Sequence, residues 1–386
     1  MDKNKRLTVW LPVIIAASIA LGIFIGNHYL SISQGKKRSY SSGNKINAIL
    51  DIIDEQYVDT VSMSKLVEST IPKIFSELDP HSVYIPAEDA SVVNEELEGS
   101  FSGIGVSFNM QTDTILVISV ISGGPAEKAG LLPFDRIISI NDSIFSGKKK
   151  NQGEIMKTLR GAKNSTVKLG VQRGNSPELL YFDVTRGDVP VNSVDVSYEA
   201  AKGIGYIKVS KFARNTYNEF ITAIAKLKQA GCTSFVIDLR GNTGGYMDAA
   251  INMINEFMPE GRLIVYTEGK SFPRSDVYAN GTGTCKDAPI VVLTDEISAS
   301  ASEIFSGAIQ DNDRGTIIGR RTYGKGLVQT QMSLSDGSEM RLTIARYYTP
   351  SGRCIQKKYE MGNTDAYDQD IYNRYMHGEF DSADSI

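Results

Sequence analysis

Two turns in this sequence carry side chains suited to acyl-transfer or hydrolytic chemistry: Asp238-Leu-Arg-Gly-Asn-Thr-Gly-Gly245 and Asp295-Glu-Ile-Ser-Ala-Ser-Ala-Ser-Glu303. Each follows an apolar run and opens a segment of helical spacing, so each stands where a strand hands over to a helix. A serine held at such a junction faces free N–H groups of the helix N-terminus, which can stabilise an oxyanion. Ser298, Ser300 and Ser302 are therefore candidate nucleophiles, and spacing does not choose among them. Serine is also a favoured N-cap, a task that one of the three is expected to hold.

A serine nucleophile needs a base, most often histidine. The three histidines do not suit that role: His28 adjoins an apolar N-terminal run, His81 precedes a β-rich region and His377 lies in a polar tail. A lysine is the alternative. In Gly324-Lys-Gly326 the flanking glycines let backbone approach Lys325 closely. To accept a proton near neutrality its pKa must fall by roughly 3 units from about 10.4, which takes burial and hydrogen bonding. Gln329 can supply such a hydrogen bond from four residues on. In a strand the two Cα atoms stand roughly 13 Å apart and in one helical turn about 6 Å, so this pairing predicts a turn there. Gly319-Arg-Arg-Thr-Tyr-Gly-Lys325 also has phosphate-loop spacing, yet Gly326 stands where a magnesium-binding Ser or Thr belongs, and no long helix is legible downstream.

The elements that must position these groups are readable upstream and between them. From Gly203 onward, strands Gly205 to Val209, Ser234 to Leu239 and Ile290 to Thr294 alternate with helices carrying Phe220, Ile224 and Leu227, then Met247, Ile251 and Ile254, then Ile304, Phe305 and Ile309. This order predicts an α/β core with a mainly parallel sheet covered by helices, whose chemistry gathers at the carboxyl ends of the strands. Between residues 91 and 187 the pattern is β-rich, with strands expected at 104–108, 114–120, 136–140, 166–172 and 179–185. Within it, Gly123-Gly-Pro-Ala-Glu-Lys-Ala-Gly-Leu131 followed by Asp135-Arg-Ile-Ile-Ser-Ile-Asn141 closely resembles a PDZ domain. By that resemblance Gly103, Ile104, Gly105 and Val106 form the loop whose N–H groups face a peptide's terminal carboxylate, beside a strand edge that pairs with the peptide.

At the N-terminus, Lys3, Lys5 and Arg6 precede a nearly uncharged apolar run from Leu7 to about Gly26, long enough to span a bilayer as a helix and lacking a clear cleavage site. The expected layout is a short N-terminus over 1–6, an uncleaved signal-anchor over 7–27, a helical region over 28–90, the PDZ-like domain over 91–187 and the α/β core with its polar tail over 188–386. In the helical region Ile46, Ile49, Leu50 and Ile53, then Leu66, Val67, Ile71, Ile74 and Phe75, recur at helical spacing, as a docking or dimerisation surface would. A net charge of −4 over 386 residues, with basic and acidic residues interspersed, argues against nucleic acid. Cys232, Cys285 and Cys354 show no metal or redox spacing and read as isolated thiols. No metal or other cofactor is expected.

Taken together, Leu78-Asp-Pro-His-Ser82, the PDZ-like insert, the Asp238 and Ser298-Ala-Ser-Ala-Ser-Glu-Ile304 turns, Tyr323-Gly-Lys-Gly-Leu-Val-Gln329 and Leu342-Thr-Ile-Ala-Arg-Tyr-Tyr-Thr-Pro-Ser-Gly-Arg353 resemble the C-terminal processing (tail-specific) peptidase family, from roughly Lys45 to Gln356. The resemblance implies a serine endopeptidase working through an acyl-enzyme. It makes Ser300 the nucleophile, Lys325 its base and Gln329 the residue that orients the lysine. Ala301 N–H and an amide of Gly244 or Gly245 form the oxyanion hole, and Arg160 relays peptide binding to the protease. Substrates are then proteins or peptides with a free C-terminus, and the catalytic part lies on the periplasmic side of the inner (cytoplasmic) membrane. A tethered PDZ scaffold with an inactive core is the alternative of a different class. Members usually follow the Thr-Pro-Ser-Gly-Arg string with Gly-Ile-x-Pro-Asp; here a tyrosine-rich polar tail runs on to Ile386, which implies a truncated chain or an insertion.

Overall fold

The computed structural model describes residues 16, 18–21, 42–111, 114–144 and 152–381. The expected anchor at 7–27 lies almost wholly outside the described residues, as does His28. Among the described residues no helix is long and apolar enough to cross a membrane. The chain divides into two compact units, one up to Thr70 and one from Ile71 onward. The first holds helix α1 (Ser42–Gln56), and α2 (Met63–Ser76) runs across the division. Ile46, Ile49 and Ile52 of α1 are exposed.

The second unit opens with β1 (Val83–Ile85) and α3 (Ala87–Glu98). A two-stranded ribbon, β2 (Ser100–Gly103) with β9 (Gly187–Pro190), then leads into and out of a six-stranded antiparallel sheet. That sheet comprises β3 (Val106–Gln111), β4 (Thr114–Val120), β5 (Arg136–Ile140), β6 (Ser143–Ile144), β7 (Thr166–Gln172) and β8 (Leu180–Thr185), with short helices α4 (Pro125–Ala129) and α5 (Gln152–Leu159). Alternation dictates its core, since Val117, Ile137, Val167, Leu169 and Val184 all point inward and are fully buried. Gly130, at φ +93°, ends α4 in the left-handed conformation that glycine tolerates best.

Beyond the ribbon, β10 (Val194–Ala201), β11 (Ile204–Val209), β12 (Ser234–Asp238), β15 (Ile290–Thr294) and β16 (Thr316–Gly319) form one sheet in that order. The last four are parallel and β10 is antiparallel. Helices α6 (Thr216–Gln229), α7 (Met247–Asn255) and α8 (Ala301–Asp311) are the crossovers. Phe257 sits among Phe220, Phe235 and Phe305 with ring centroids 6.2 to 6.5 Å apart and steep tilts, the edge-to-face packing aromatic rings prefer.

The expectation of a mainly parallel sheet covers only this half of the core. A second, antiparallel sheet joins β1, β18 (Glu339–Tyr348), β13 (Leu263–Glu268) and β14 (Ser275–Tyr278), with β17 (Leu327–Ser333) also paired to β18. Its strands carry many polar residues, and although β13–β14 and β17–β18 are neighbours in sequence, the β1–β18 and β13–β18 pairings that assemble the sheet join distant segments, so periodicity did not reveal it. Residues 28–90 are likewise not helical throughout, because Val83–Ile85 pairs with Arg341–Glu339 in this sheet. The polar tail folds into α9 (Asp365–Asp368) and α10 (Asp370–Met376).

Candidate active site

The two strand-to-helix turns lie side by side. Asp295, just past β15, accepts the N–H groups of Gly241, Ile297 and Ser298 at 2.9 to 3.0 Å, tying one turn to the other. Asn242, fully buried, does the same from the opposite turn. Its amide donates to Val209 O at 3.0 Å, and its own carbonyl accepts the Ala299 N–H at 3.0 Å and the Ser302 hydroxyl at 2.9 Å. Sequence reasoning missed Asn242, because its partners are about sixty residues away.

These bonds distinguish the three serines. Ser298 Oγ donates to Leu239 O at 2.8 Å and Ser302 Oγ to Asn242 O, and both side chains are fully buried. Ser300 is half-buried and is the one of the three that lines a cavity of about 800 Å³, with Gly244, Gly245, Lys325, Gln329 and Arg341. It precedes α8 with φ +54° and ψ −112°, a strained conformation for a non-glycine residue that turns the side chain out of the helix.

Gly244, at φ +104°, packs against this elbow so tightly that a Cβ there would stand 2.8 Å from both Ala299 O and Ser300 Cβ. Its N–H donates to Asn242 Oδ1 at 2.8 Å, which removes it from the expected oxyanion donors and leaves it a steric part. The N–H groups of Ala301 and Gly245 have no protein acceptor among the described residues.

Lys325 reaches the cavity from irregular chain ahead of β17, and its ammonium donates to Gln329 Oε1 at 3.1 Å. No helical turn intervenes, contrary to expectation. Gln329 is the third residue of β17, beside a register shift at Val328 and Gln329, and the two long side chains span the gap themselves. The Gln329 amide in turn donates to His81 O. Asp79 sets that carbonyl by accepting the N–H groups of His81 and Ser82 and the hydroxyls of Ser82 and Thr343 at 2.5 to 3.0 Å. His81 thus serves through its backbone, a role its side-chain chemistry does not announce.

Glu303, 2% exposed, joins nucleophile to lysine loop. Its carboxylate accepts Ser300 N–H at 2.8 Å, the Thr322 hydroxyl at 2.7 Å, Gly324 N–H at 2.7 Å and Lys325 N–H at 2.8 Å. Burial pushes its pKa up, against these four bonds. Burial also pulls the pKa of Lys325 below its ordinary value, helped by Arg341 and opposed by Asp79 and Glu303. His81 is held neutral, its pKa lowered to about 4 by burial and by the charge of Lys325. Strand β17, not a helix, directly follows Lys325, so the phosphate-loop reading lacks its helix N-terminus. Among the described residues no cluster of His, Cys, Asp and Glu is arranged to hold a metal.

The other expected residues lie elsewhere. Gly103 ends β2, paired with Gly187, and Val106 begins β3, an edge strand. Between them, Ile104 and Gly105 have N–H groups with no acceptor among the described residues, while their carbonyls accept from Ala126 and Ile121. Arg160 lies over the Phe101 ring at 4.5 Å and 3.6 Å from Glu95 Oε2. None of these five lines the cavity with Ser300.

Comparison with known proteins places names on both halves. Residues 203–365 match the family model of peptidase family S41, and residues 102–195 match that of the PDZ domain. The carboxy-terminal processing protease CtpB of Bacillus subtilis (strain 168) is 35% identical over 318 residues, 82% of this chain and 66% of that protein. A probable CtpA-like serine protease of Staphylococcus aureus (strain N315) is 33% identical over 365 residues, 92% of this chain and 72% of that protein. Among solved structures, the photosystem II D1 C-terminal processing protease is 27% identical with a TM-score of 0.46, covering 82% of this chain and 91% of that one. Likeness to the staphylococcal protein over 92% of this chain and 72% of that protein, with the S41 model seated on the segment that carries Ser300 and Lys325, makes this chain a PDZ-containing member of peptidase family S41, the carboxy-terminal processing proteases.

Proposed function

We propose that the chain is a serine endopeptidase that cuts proteins selected through their C-terminal tails, with Ser300 as nucleophile and Lys325 as base. The observation that carries this reading is a half-buried lysine, hydrogen-bonded to Gln329 and lining the same cavity as the one strained, outward-turned serine. Neutral Lys325 takes the hydroxyl proton as Ser300 Oγ attacks the scissile carbonyl. The N–H groups of Ala301 and Gly245 stabilise the oxyanion. The lysine's new proton goes to the leaving amine as the C–N bond breaks, and water then releases the acyl group by the same relay.

The free N–H groups of Ile104 and Gly105, beside the open edge of β3, suit the terminal carboxylate of a peptide strand. The apolar run from Leu7 to Gly26 supports a single-pass anchor that holds the catalytic part on the periplasmic side. The exposed Ile46, Ile49 and Ile52 support self-association through α1. The decisive test is cleavage of denatured casein by the full chain in detergent. Ser300→Ala and Lys325→Ala should each abolish it while the melting transition stays in place, and cleavage surviving either change would end the assignment.

A further inference from the structure

Loop 320–326 carries Lys325, and its backbone groups are held from two sides. From within, Glu303 takes the N–H groups of Gly324 and Lys325. Ser298 O takes the Tyr323 N–H, and Tyr347 of β18 donates to the carbonyls of Lys325 and Gly326. From outside, the chain beyond β18 holds further groups of the loop. Lys357 N–H donates to Gly324 O at 2.9 Å, and Gln356 Oε1 accepts Gly326 N–H at 2.9 Å. Arg374 of α10 then donates to Arg321 O at 2.6 Å and Thr322 O at 3.3 Å, while its Nε meets Glu379 at 2.9 Å. Glu379 also holds the Arg321 guanidinium at 2.6 Å. Tyr367, 4% exposed, bonds His81 Nε2 at 2.7 Å, and His81 O is what the Gln329 amide grips. The Lys357 ammonium lies 4.1 and 4.0 Å from the Tyr323 and Tyr367 ring centroids.

We propose that the tail segment 359–381 is a clamp on the lysine loop, with Arg374 and Tyr367 as positioning residues that fix the loop's carbonyls and the Gln329 partner. This rests on the reading of Lys325 as the base. Merely docking a surface helix would not require a guanidinium whose side chain is only 4% exposed, since burying a cation is costly unless every donor is used. Here its fork spans two successive carbonyls of the loop and the carboxylate beside them, geometry that a lysine's single ammonium cannot reproduce. Titratable and charged groups near the lysine and its loop are Asp79, His81, Glu303 and Arg341 on one side and Arg321, Lys357, Asp370, Arg374 and Glu379 on the other. Releasing the clamp lets water reach Lys325, so its depressed pKa moves up.

The test uses the full chain in detergent, with a fluorophosphonate that labels the reactive serine and with casein as substrate, from pH 6 to 10. Arg374→Met should slow labelling by ~10-fold or more, as expected when a base is misplaced by about an ångström. It should also move the ascending pH limb upward and leave KM for casein within about two-fold. Arg374→Lys, which keeps the charge, should fall between it and wild type, and it decides the matter if Arg374→Met fails to fold. Wild-type labelling with an unmoved limb in the folded variants would overturn the clamp. So would a rate loss in which the limb stays and KM rises in step. Labelling of Ser300→Ala as fast as wild type would instead overturn the Ser300 assignment.

Discussion

Glu303→Gln tests how far the catalytic geometry hangs on one buried carboxylate. Oε2 of Glu303 accepts the N–H groups of Ser300 and Lys325, and Oε1 accepts the Thr322 hydroxyl and Gly324 N–H. A glutamine places an NH₂ at one of these positions. Facing Oε2's partners, it would oppose two N–H groups. Facing Oε1's partners, it opposes one, because the Thr322 hydroxyl can turn and accept. The second arrangement is the cheaper, and it leaves the Gly324 N–H unpaired. One orphaned buried donor costs about 1–3 kcal/mol, so the melting temperature should fall by several degrees without loss of fold. The rate should fall further than stability, since Gly324 precedes the base and a small displacement of Lys325 weakens proton transfer. The pH limb should not rise, because removing the negative charge of Glu303 removes support for the charged lysine. Melting curves and fluorophosphonate labelling across pH measure both effects. Wild-type melting together with a wild-type labelling rate would refute the idea that this carboxylate couples nucleophile to base.

The remaining predictions concern the lysine, the elbow and the PDZ domain. Because Lys325 acts only when neutral and burial lowers its pKa, kcat for casein should rise with pH along a single limb below the ordinary lysine range. Gln329→Ala should lower that rate, and a flat profile from pH 5 to 9 would exclude a lysine base. Gly244→Ala adds a methyl within 2.8 Å of the Ser300 elbow at a φ of +104°, so labelling should drop sharply while PDZ peptide binding is unchanged. Amidating the C-terminus of an apolar peptide should weaken its binding to the full chain by calorimetry, since Ile104 and Gly105 N–H would lose the carboxylate. Equal affinity of the acid and amide forms would remove the tail-recognition reading.

Alternation along β4, β5 and β7, the glycine stop at Gly130, and apolar stripes on α6 to α8 are local properties, so the sequence by itself determined these elements and the two serine- or glycine-rich junctions. The choice of Ser300 over Ser298 and Ser302 was not local. It follows from carbonyls 59 and 60 residues upstream that occupy the other two hydroxyls. The lysine's environment is more distant still, because the carbonyl that orients Gln329 belongs to His81, 248 residues away. The antiparallel sheet that brings β1 to β18 creates that meeting, and no periodicity within either strand encodes its partner. Tertiary structure also decided the part played by the tail. A run of tyrosines and charges reads as a solvated surface, until folding buries Tyr367 against the His81 ring and Arg374 against the Arg321 and Thr322 carbonyls.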